Sequence, residues 1–442
     1  MARLFGTDGI RGLANGDVLT PDLALRLSAV AGARAVAERV DGRRPVVVVG
    51  RDSRPSGEML EAAAVAGFTS AGCDVTRLGV VPTPLVAHCT ARGAALGLAI
   101  TASHNPMPDN GLKLFAAGGR KLTDAEEDAL EAALDQPWVR PTGTAIGRSN
   151  ADGRPARVEA YLTDLVGTVG SLEGLHVVVD GAQGAASRLA PEAYRRAGAT
   201  VTAIHCDGDG QRINEACGAT HPESLAKSVV EHGADLGVAH DGDADRCIVV
   251  DGSGTVLNGD QVLGLLALAR KDAGLPASDV LVATVMSNLG LVLAMTEAGI
   301  QVVRTPVGDR YVLEAMLAGG HRLGGEQSGH VVMLDHASTG DGLLTALQVM
   351  NRVARTGRPV AELAAAVTLL PQVLVNVVAP RERAQDAGVL AAVAREEEAL
   401  AGDGRVLLRP SGTEALVRVM VEAPTQEQAE QVAQRLAAAV AG

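Results

Sequence analysis

Aromatic residues are scarce in this chain of 442 residues, in which Phe, Trp and Tyr together make up 2%. So few rings leave little surface on which nucleobases could stack. Basic residues are also in the minority, because 39 Lys and Arg stand against 52 Asp and Glu and leave a formal net charge of −13. A net negative surface repels nucleic-acid phosphates and anionic lipids. We therefore expect neither nucleic acid nor a membrane as a partner.

The five cysteines are scattered and show no C-x-x-C spacing, which argues against a disulfide framework or a zinc site. No apolar run reaches transmembrane length. The opening residues, MARLFGTDGIRG, contain no apolar segment of the kind that secretory signals carry. Together these absences predict a protein of the reducing cytoplasm.

Two common catalytic motifs are also missing. The chain contains no G-x-x-x-x-G-K-[ST] sequence, which excludes a P-loop NTPase. It contains no G-x-S-x-G elbow around its candidate serine, which disfavours acyl transfer.

Glycine, in contrast, is abundant, and it accompanies a weak internal repeat. The chain has 52 glycines, which indicates many tight turns and close backbone approaches. The octads at 93–100 and 233–240 share five of eight residues. Upstream of each, a Val-rich run, a helical stretch and an Ala-Gly stop form a strand–helix–strand pattern that recurs at 280–302. Three such units predict three related α/β domains with mixed, mostly parallel sheets.

After Pro371 the pattern changes to short strands at 373–378, 405–408 and 416–421. An Ala-rich helix follows, and Thr425 and Gln428 predict a capping box at its start. This pattern predicts a smaller C-terminal α+β domain. We predict domains at 1–145, 152–252, 253–366 and 370–442, with a linker at 136–157 and a turn at 252–260.

Polar residues follow the predicted strands in each of the three related units. The first octad leads into TASHNP at 101–106, the second into DGDADR at 241–246, and the third unit holds GEQSGH at 325–330. Because ligands of open α/β sheets bind at the carboxyl ends of strands, these segments could share one cleft.

The aspartates of the second segment are the first candidate for a metal site. Asp241, Asp243 and Asp245 alternate with small residues, and their hard oxygen ligands suit Mg²⁺. An EF-hand is excluded, because its sixth position would be Arg246 and its twelfth Gly252. The alternative is a solvated acidic turn.

The remaining candidates are ambiguous when each is taken alone. Ser103 suits phosphoryl transfer if it faces a Mg²⁺ site, but Ser-His-Asn-Pro could also be a turn in which the serine caps a helix and the proline breaks a strand. Lys113 and His330 are proton-transfer candidates if they share the cleft; otherwise they are a surface lysine and a structural histidine. The loop at 409–414 is either a phosphate cradle or a simple hairpin turn.

Taken together, the segments resemble one known family. TASHNP, DGDADR, GEQSGH and, at 409–413, RPSGT occur in the order found in the α-D-phosphohexomutase superfamily. FGTDGIRG at 5–12, MSN at 286–288 and VGDRY at 307–311 are similar to its bacterial subgroup that acts on glucosamine phosphates. Pro306 stands where many members carry lysine.

The resemblance implies a heart-shaped, four-domain enzyme with a central cleft. It implies interconversion of glucosamine 6-phosphate and glucosamine 1-phosphate, on the route to UDP-N-acetylglucosamine and peptidoglycan. Ser103 would be a phosphoserine, and glucosamine 1,6-bisphosphate would be the intermediate and activator. One Mg²⁺ per subunit would lie between a phosphoserine oxygen of Ser103 and Asp241, Asp243 and Asp245.

The same resemblance implies roles for the other candidates. Lys113 and His330 would be general base and general acid, in an order that the sequence leaves open. Arg11 and Arg246 would lie near the phosphoserine. The substrate would be held at two places: Glu326, Ser328 and His330 at the sugar, and Arg409, Ser411, Gly412 and Thr413 at the non-reacting phosphate.

Two rival interpretations stay open at this point. One is a phosphomannomutase or phosphoglucomutase, with the same chemistry on a neutral sugar. The other is a non-catalytic sugar-phosphate sensor, which would be expected to lack Ser103 or one of the aspartates. The only partner that the sequence predicts is a small amino-sugar phosphate, and it allows a homodimer without predicting one.

Overall fold

The computed structural model describes residues 3–6, 8–39, 42–410 and 416–442. The chain divides into two compact units, residues 1–285 with 302–365 and residues 286–301 with 366–442. Within the described ranges, no helix combines the length and the apolar character that crossing a bilayer requires.

The first sheet of the larger unit is built from residues 10–150. Its elements are β1 (Ile10–Leu13), α1 (Pro21–Ala37), β2 (Val46–Arg51), α2 (Ser56–Ser70), β3 (Asp74–Val80), α3 (Thr83–Ala91), β4 (Leu96–Ile100), β5 (Asp109–Ala116), β6 (Arg120–Lys121), α4 (Asp124–Ala133) and β7 (Ser149–Asn150). The strand order is β1-β5-β4-β2-β3-β7, with β6 paired to β5. Strands β4, β2, β3 and β7 run parallel, and β5 is antiparallel to its neighbours.

The Val-rich run of β2 shows why the central strands of the first sheet are parallel and buried. Val47 and Val49 belong to the same apolar cluster as Leu60 and Phe68 of α2. Val48 points to the opposite face of the sheet and is also fully buried. A strand covered on both faces needs apolar residues at successive positions, as the sequence has them.

The second sheet repeats this plan. Its elements are α5 (Arg154–Val166), β8 (His176–Asp180), α6 (Ala186–Arg196), β9 (Thr200–Ile204), α7 (Glu223–His232), β10 (Leu236–Ala239), β11 (Ile248–Asp251) and β12 (Val256–Leu257). The strand order is β12-β11-β10-β8-β9. Strands β10, β8 and β9 are parallel, and β11 and β12 form an antiparallel edge.

The third sheet has four strands. The chain here forms α8 (Gly259–Asp272), β13 (Val280–Thr284), α9 (Leu289–Glu297), β14 (Gln301–Thr305), α10 (Asp309–Gly319), β15 (Leu323–Gly325), β16 (Val331–Met333), α11 (Gly342–Thr356) and α12 (Val360–Ala364). The strand order is β14-β13-β15-β16. Strands β13 and β15 are parallel, and β15 and β16 antiparallel.

The three predicted strand–helix–strand units are confirmed as β2-α2-β3, β8-α6-β9 and β13-α9-β14. Two predicted connections contain more structure than expected. In the linker, β7 pairs with the edge strand β3 and satisfies its free backbone groups. In the turn at 252–260, β12 pairs with β11, and the Asn258 side chain caps the start of α8.

The smaller unit carries the predicted C-terminal α+β fold. Its last elements are β17 (Gln372–Val378), α13 (Ala387–Leu400), β18 (Arg405–Pro410), β19 (Leu416–Glu422) and α14 (Gln426–Ala441). The strands form an antiparallel sheet in the order β17-β19-β18. The Thr425 side chain accepts a hydrogen bond from the backbone N–H of Gln428, so Thr425 is the N-cap of α14. The return bond from the Gln428 side chain, which would complete the predicted capping box, is not formed among the described residues.

A buried ion pair should contribute strongly to the stability of this unit. The Glu422 carboxylate is completely buried, binds Arg405 through two hydrogen bonds of 2.8 and 3.0 Å, and accepts a third from the Leu289 amide. We expect Glu422→Ala to lower the free energy of unfolding by about 3–5 kcal/mol, because the partly buried guanidinium keeps its hydrogen bond to the Ser287 carbonyl but loses the carboxylate that balances its charge. Thermal denaturation beside the control Glu427→Ala, an exposed residue of α14, checks this. Equal stability of the two variants would contradict it.

Candidate active site

Ser103 lies in the loop that follows β4, at the carboxyl end of that strand. It has a left-handed backbone with φ of 54°, which is a strained conformation for a residue with a side chain. Its amide donates to Thr101 Oγ1 over 2.9 Å. Its hydroxyl is buried and donates to Asp241 Oδ2 over 2.5 Å. The sheet therefore presents one buried hydroxyl directly to a carboxylate of the second sheet.

The three aspartates follow β10, at the corresponding end of the second sheet. Asp241, Asp243 and Asp245 are all buried, and their nearest carboxylate oxygens lie within 4.8 Å of one another. Between the first two is Gly242, where a Cβ would lie 2.5 Å from the Ser103 carbonyl oxygen. Only glycine permits this close approach of the two loops. The solvated acidic turn is thereby ruled out, since the group is buried.

The donor set fits a hard divalent cation. Asp243 Oδ1 and Asp245 Oδ1 are buried, and neither has a hydrogen-bond partner among the described residues. Burial, together with Asp245 and Asp243, raises the pKa of Asp241 to about 7. Unpaired carboxylate oxygens that converge in a buried place are the ligands that Mg²⁺ takes in proteins.

A second group of side chains is close enough to hold a metal, namely Asp180, His205 and Cys217. Here the carboxylate is already satisfied. One Asp180 oxygen accepts from the Ala182 amide, and the other accepts from the Gly218 amide and contacts His205 at 3.0 Å. This group is explained as a hydrogen-bonded junction of the β8 and β9 loops.

Lys113 comes from β5 and reaches the aspartates from the first sheet. Its Nζ atom lies 2.9 Å from Asp243 Oδ2, 3.6 Å from Asp245 Oδ2 and 2.7 Å from Asp8 Oδ2. Burial opposes the charged form, but these carboxylates raise the pKa of Lys113 above its ordinary value. The side chain is therefore a protonated donor that balances part of the negative charge.

His330 closes the cluster from the third sheet. A backbone bridge pairs it with Arg246, so the loop before β16 lies against the aspartate loop. Its Nδ1 atom is 3.6 Å from Asp245 Oδ2, and its Nε2 atom is 3.5 Å from Asp309 Oδ2. Burial lowers the pKa of His330, but Asp245 and Asp309 outweigh it and raise the value. This histidine is thus held as a proton donor at the edge of the cluster.

A polar cavity of about 410 Å³ opens beside these groups, within the range of small-molecule sites. Its wall includes the cationic side chains of Arg11 and Arg246, the two histidines His104 and His330, and the carboxylate of Glu326. Burial and the two nearby guanidinium groups lower the pKa of His104 to about 4, so its imidazole is neutral. The cavity offers cations for a phosphate next to carboxylates that accept hydrogen bonds from hydroxyl or ammonium groups.

The larger unit brings most of the predicted site residues together. These are Ser103, Lys113, Asp241, Asp243, Asp245, Arg246, Arg11, Glu326 and His330. Ser328 lies in the same loop as Glu326, and its buried hydroxyl has no partner among the described residues. Arg409 lies on β18 of the smaller unit, and its predicted role stays a prediction. Ser411, Gly412 and Thr413 lie outside the described residues.

Three further ionised residues belong to the site but were not predicted: Asp8, Lys121 and Asp309. Lys121 Nζ lies 2.5 Å from Asp8 Oδ1 and donates a second hydrogen bond to Asp309. One feature of the sequence could have indicated Lys121, namely that the whole chain contains only four lysines. Two of them, Lys113 and Lys121, are at this site.

Models of the phosphoglucomutase/phosphomannomutase family match nearly the whole chain. The α/β/α domain I model matches residues 2–137, domain II matches 159–254, domain III matches 258–369 and the C-terminal domain matches 374–439. The chain therefore has all four domains of this family, in order.

Curated relatives define the group within the family. The chain is 59% identical to a phosphoglucosamine mutase of Parafrankia sp. strain EAN1pec, covering 99% of this chain and 98% of that protein. It is 60% identical to a phosphoglucosamine mutase of Saccharopolyspora erythraea, covering 100% and 99%. The chain belongs to the phosphoglucosamine mutases of the phosphoglucomutase/phosphomannomutase family. It is an isomerase that transfers phosphoryl groups.

Solved structures support the same fold. A phosphoglucomutase/phosphomannomutase family protein from Burkholderia thailandensis matches with a TM-score of 0.82 at 24% identity, over 99% of this chain and 97% of that one. An Aspergillus fumigatus N-acetylphosphoglucosamine mutase, in complex with GlcNAc-6P and magnesium, matches with a TM-score of 0.67 at 18% identity, over 99% and 95%.

Proposed function

We propose that the protein interconverts glucosamine 6-phosphate and glucosamine 1-phosphate, with Ser103 as the phosphoryl carrier. The observation that carries this proposal is the 2.5 Å hydrogen bond from Ser103 Oγ to Asp241, a member of a triad in which two carboxylate oxygens have no hydrogen-bond partner among the described residues. A buried hydroxyl in such a place suits a group that accepts and returns a phosphoryl group.

The reaction needs two phosphoryl transfers of opposite direction. In the first, the substrate's free hydroxyl attacks the phosphorus on Ser103, its proton leaves to a base, and the bond from phosphorus to Ser103 Oγ breaks. The product is glucosamine 1,6-bisphosphate and a free serine hydroxyl. The bisphosphate then reorients in the cavity so that its second phosphoryl group, the one already present on the substrate, faces Ser103. Ser103 Oγ takes this group, and no phosphate is gained or lost overall.

The chain's own residues divide this work. Arg11, Arg246 and His104 lie where they can bind phosphoryl oxygens. His330 and Lys113 are the proton-transfer groups. The raised pKa of each keeps it protonated before the reaction. Once one of them has passed its proton to the departing serine oxygen, it can act as the base that takes the proton of the attacking hydroxyl. Glu326 orients the sugar through its hydroxyl groups.

Asp241, Asp243 and Asp245 would hold Mg²⁺ together with an oxygen of the phosphorylated Ser103. When bound, this ion neutralises negative charge on the transferring phosphoryl group. Lys113 holds Asp243 and Asp245 in place for this purpose through its Nζ atom.

The cavity also suggests which sugar is preferred. Its wall carries four carboxylates, those of Asp8, Asp245, Asp309 and Glu326. Asp8, Asp245 and Asp309 are already in ion pairs with lysine or arginine side chains, so that Glu326 is the carboxylate of these four that is left to attract the ammonium group at C2 of a glucosamine phosphate, which glucose and mannose phosphates lack. We expect glucosamine phosphate to be favoured by at least about tenfold in kcat/KM, the effect of one polar contact of ~1.4 kcal/mol.

Measuring kcat/KM for the 1-phosphates of glucosamine, glucose and mannose under one set of conditions checks this preference. Gln327→Ala is the matched control, because Gln327 neighbours Glu326 but is not part of the cavity wall. We expect Gln327→Ala to keep the preference and Glu326→Ala to slow turnover of all three sugars. Equal values for the three sugars would favour a broad hexose-phosphate mutase instead, and a mannose preference would favour a phosphomannomutase.

A further inference from the structure

We propose that Arg54 and Asn214 are positioning residues that hold Ser103 in its left-handed conformation and so aim its hydroxyl at the aspartate triad. This inference rests on the proposed role of Ser103 as phosphoryl carrier. Neither residue lines the cavity. Both bind backbone carbonyl groups of residues 101–109, which we call the serine loop.

Arg54 is completely buried, and every donor of its guanidinium group is used. Its Nε atom donates to Asp52 Oδ2 over 2.9 Å. The two Nη atoms bind four carbonyl oxygens of the serine loop, those of Ser103 (3.1 Å), Asn105 (2.7 Å), Asp109 (3.0 Å) and Pro106. The guanidinium group of arginine is planar and has five N–H donors in fixed directions, so it can bind several carbonyl oxygens of one loop at the same time. The ammonium group of lysine, with three donors on one atom, cannot replace it.

Asp52 connects this guanidinium to the amide side of the serine. Its Oδ2 atom also accepts a hydrogen bond of 2.7 Å from Thr101 Oγ1. Thr101 Oγ1 in turn accepts the Ser103 amide over 2.9 Å. The peptide groups before and after the Ser103 Cα are therefore both held by the same buried network.

Asn214 reaches the same loop from the second sheet. Its Nδ2 atom donates to the carbonyl oxygens of Ser103 and Asn105 over 2.9 and 3.1 Å. The Asn214 backbone is itself left-handed, with φ of 60°, and its amide donates to the Ala182 carbonyl. The Ser103 carbonyl thus accepts one hydrogen bond from Arg54 of the first α/β region and one from Asn214 of the second. The second bond fixes the orientation of Ser103 relative to the sheet that carries the aspartates.

These contacts have a specific consequence for catalysis. A serine with positive φ relaxes towards a more favourable backbone when its carbonyl is released, and its Oγ atom then moves away from Asp241. Neither side chain donates a hydrogen bond to the triad, so we expect the aspartates and the part of the cavity wall outside this loop to keep their positions. We therefore expect loss of the hydrogen bonds from either Arg54 or Asn214 to lower kcat, because a displacement of a reacting atom by 1 Å can lower the rate about 100-fold. KM and metal affinity should change little.

Two variants test this expectation. Asn214→Gly removes the amide donor but keeps the freedom to adopt a positive φ. Arg54→Lys keeps the positive charge beside Asp52 but removes the forked donors. The matched control is Arg51→Lys, because Arg51 pairs with Glu58 and Glu61 of α2 and does not touch the serine loop.

The measurements are kcat and KM with glucosamine 1-phosphate, the rate of Ser103 phosphorylation by glucosamine 1,6-bisphosphate in intact-protein mass spectrometry, Mn²⁺ affinity and melting temperature. We expect Asn214→Gly to lower kcat and the phosphorylation rate at least about tenfold, with an unchanged KM and Mn²⁺ affinity, and Arg54→Lys to lower them about 100-fold. Arg51→Lys should match the wild type.

The outcomes separate this inference from the proposed function. A wild type that neither turns over nor becomes phosphorylated would overturn the proposed function and this inference with it. An active wild type beside an Asn214→Gly variant with the same kcat would overturn this inference alone. A variant whose kcat, KM and Mn²⁺ affinity all deteriorate together would also overturn it, because that result indicates a general structural role.

Discussion

Ser103→Ala should lower turnover by at least about 10⁴-fold, because it removes the atom that carries the phosphoryl group between the two half-reactions. Stability should change by only about 1 kcal/mol, since the variant loses the hydrogen bond to Asp241 and a long contact of 3.4 Å with His104 Nδ1. In intact-protein mass spectrometry, the wild type should gain one phosphoryl group from glucosamine 1,6-bisphosphate and the variant none.

The control for this prediction is Ser338→Ala. Ser338 also makes one hydrogen bond, from its Oγ atom to the Gly119 carbonyl over 2.7 Å, and it lies outside the polar cavity. We expect this variant to keep its activity and to be phosphorylated like the wild type. A folded Ser103→Ala protein with wild-type turnover would disprove the phosphoserine mechanism, whatever the substrate.

Removal of the divalent cation should abolish turnover, and Mg²⁺ should restore it. Asp243→Asn should weaken binding of the ion by at least about tenfold, or ~1.4 kcal/mol, because a neutral amide replaces one of three converging carboxylates. The variant should also release Lys113 from one of its three carboxylate partners. Calorimetric titration with Mg²⁺ measures the affinity without relying on activity.

Asp251→Asn is the matched control for the metal experiment. Asp251 is a buried aspartate at the end of β11, and its carboxylate accepts hydrogen bonds from Ser253 and Thr255 rather than joining the triad. Its substitution should leave the Mg²⁺ affinity unchanged. If Asp243→Asn bound Mg²⁺ as tightly as Asp251→Asn, the ion would have to be held elsewhere.

Much of the site could be predicted from local sequence alone. Ser103 and Asp241 each lie two or three residues after an apolar strand, and parallel strands bring their carboxyl ends to one edge of a sheet. The aspartates lie within five residues of one another, so that their convergence needs only one loop. Such features depend on short stretches of chain and are therefore visible in the sequence.

The partners of Lys113 and Lys121 were not predictable in this way. Asp8 reaches them because β1 pairs with β5 in a register that sets Arg11 opposite Gly111, and Lys121 arrives on β6, on the other end of β5. These contacts depend on strand order and register across more than 100 residues. No local pattern encodes them.

The sequence by itself determined the α/β class, the three related sheets, the C-terminal α+β fold and most of the candidate site residues, because strand burial and loop composition are local properties. The tertiary structure alone decided how that chemistry is held. It placed Arg54 and Asn214 behind Ser103 and the lysines among the carboxylates, since hydrogen bonds and ion pairs form between whichever groups the packed sheets bring within reach.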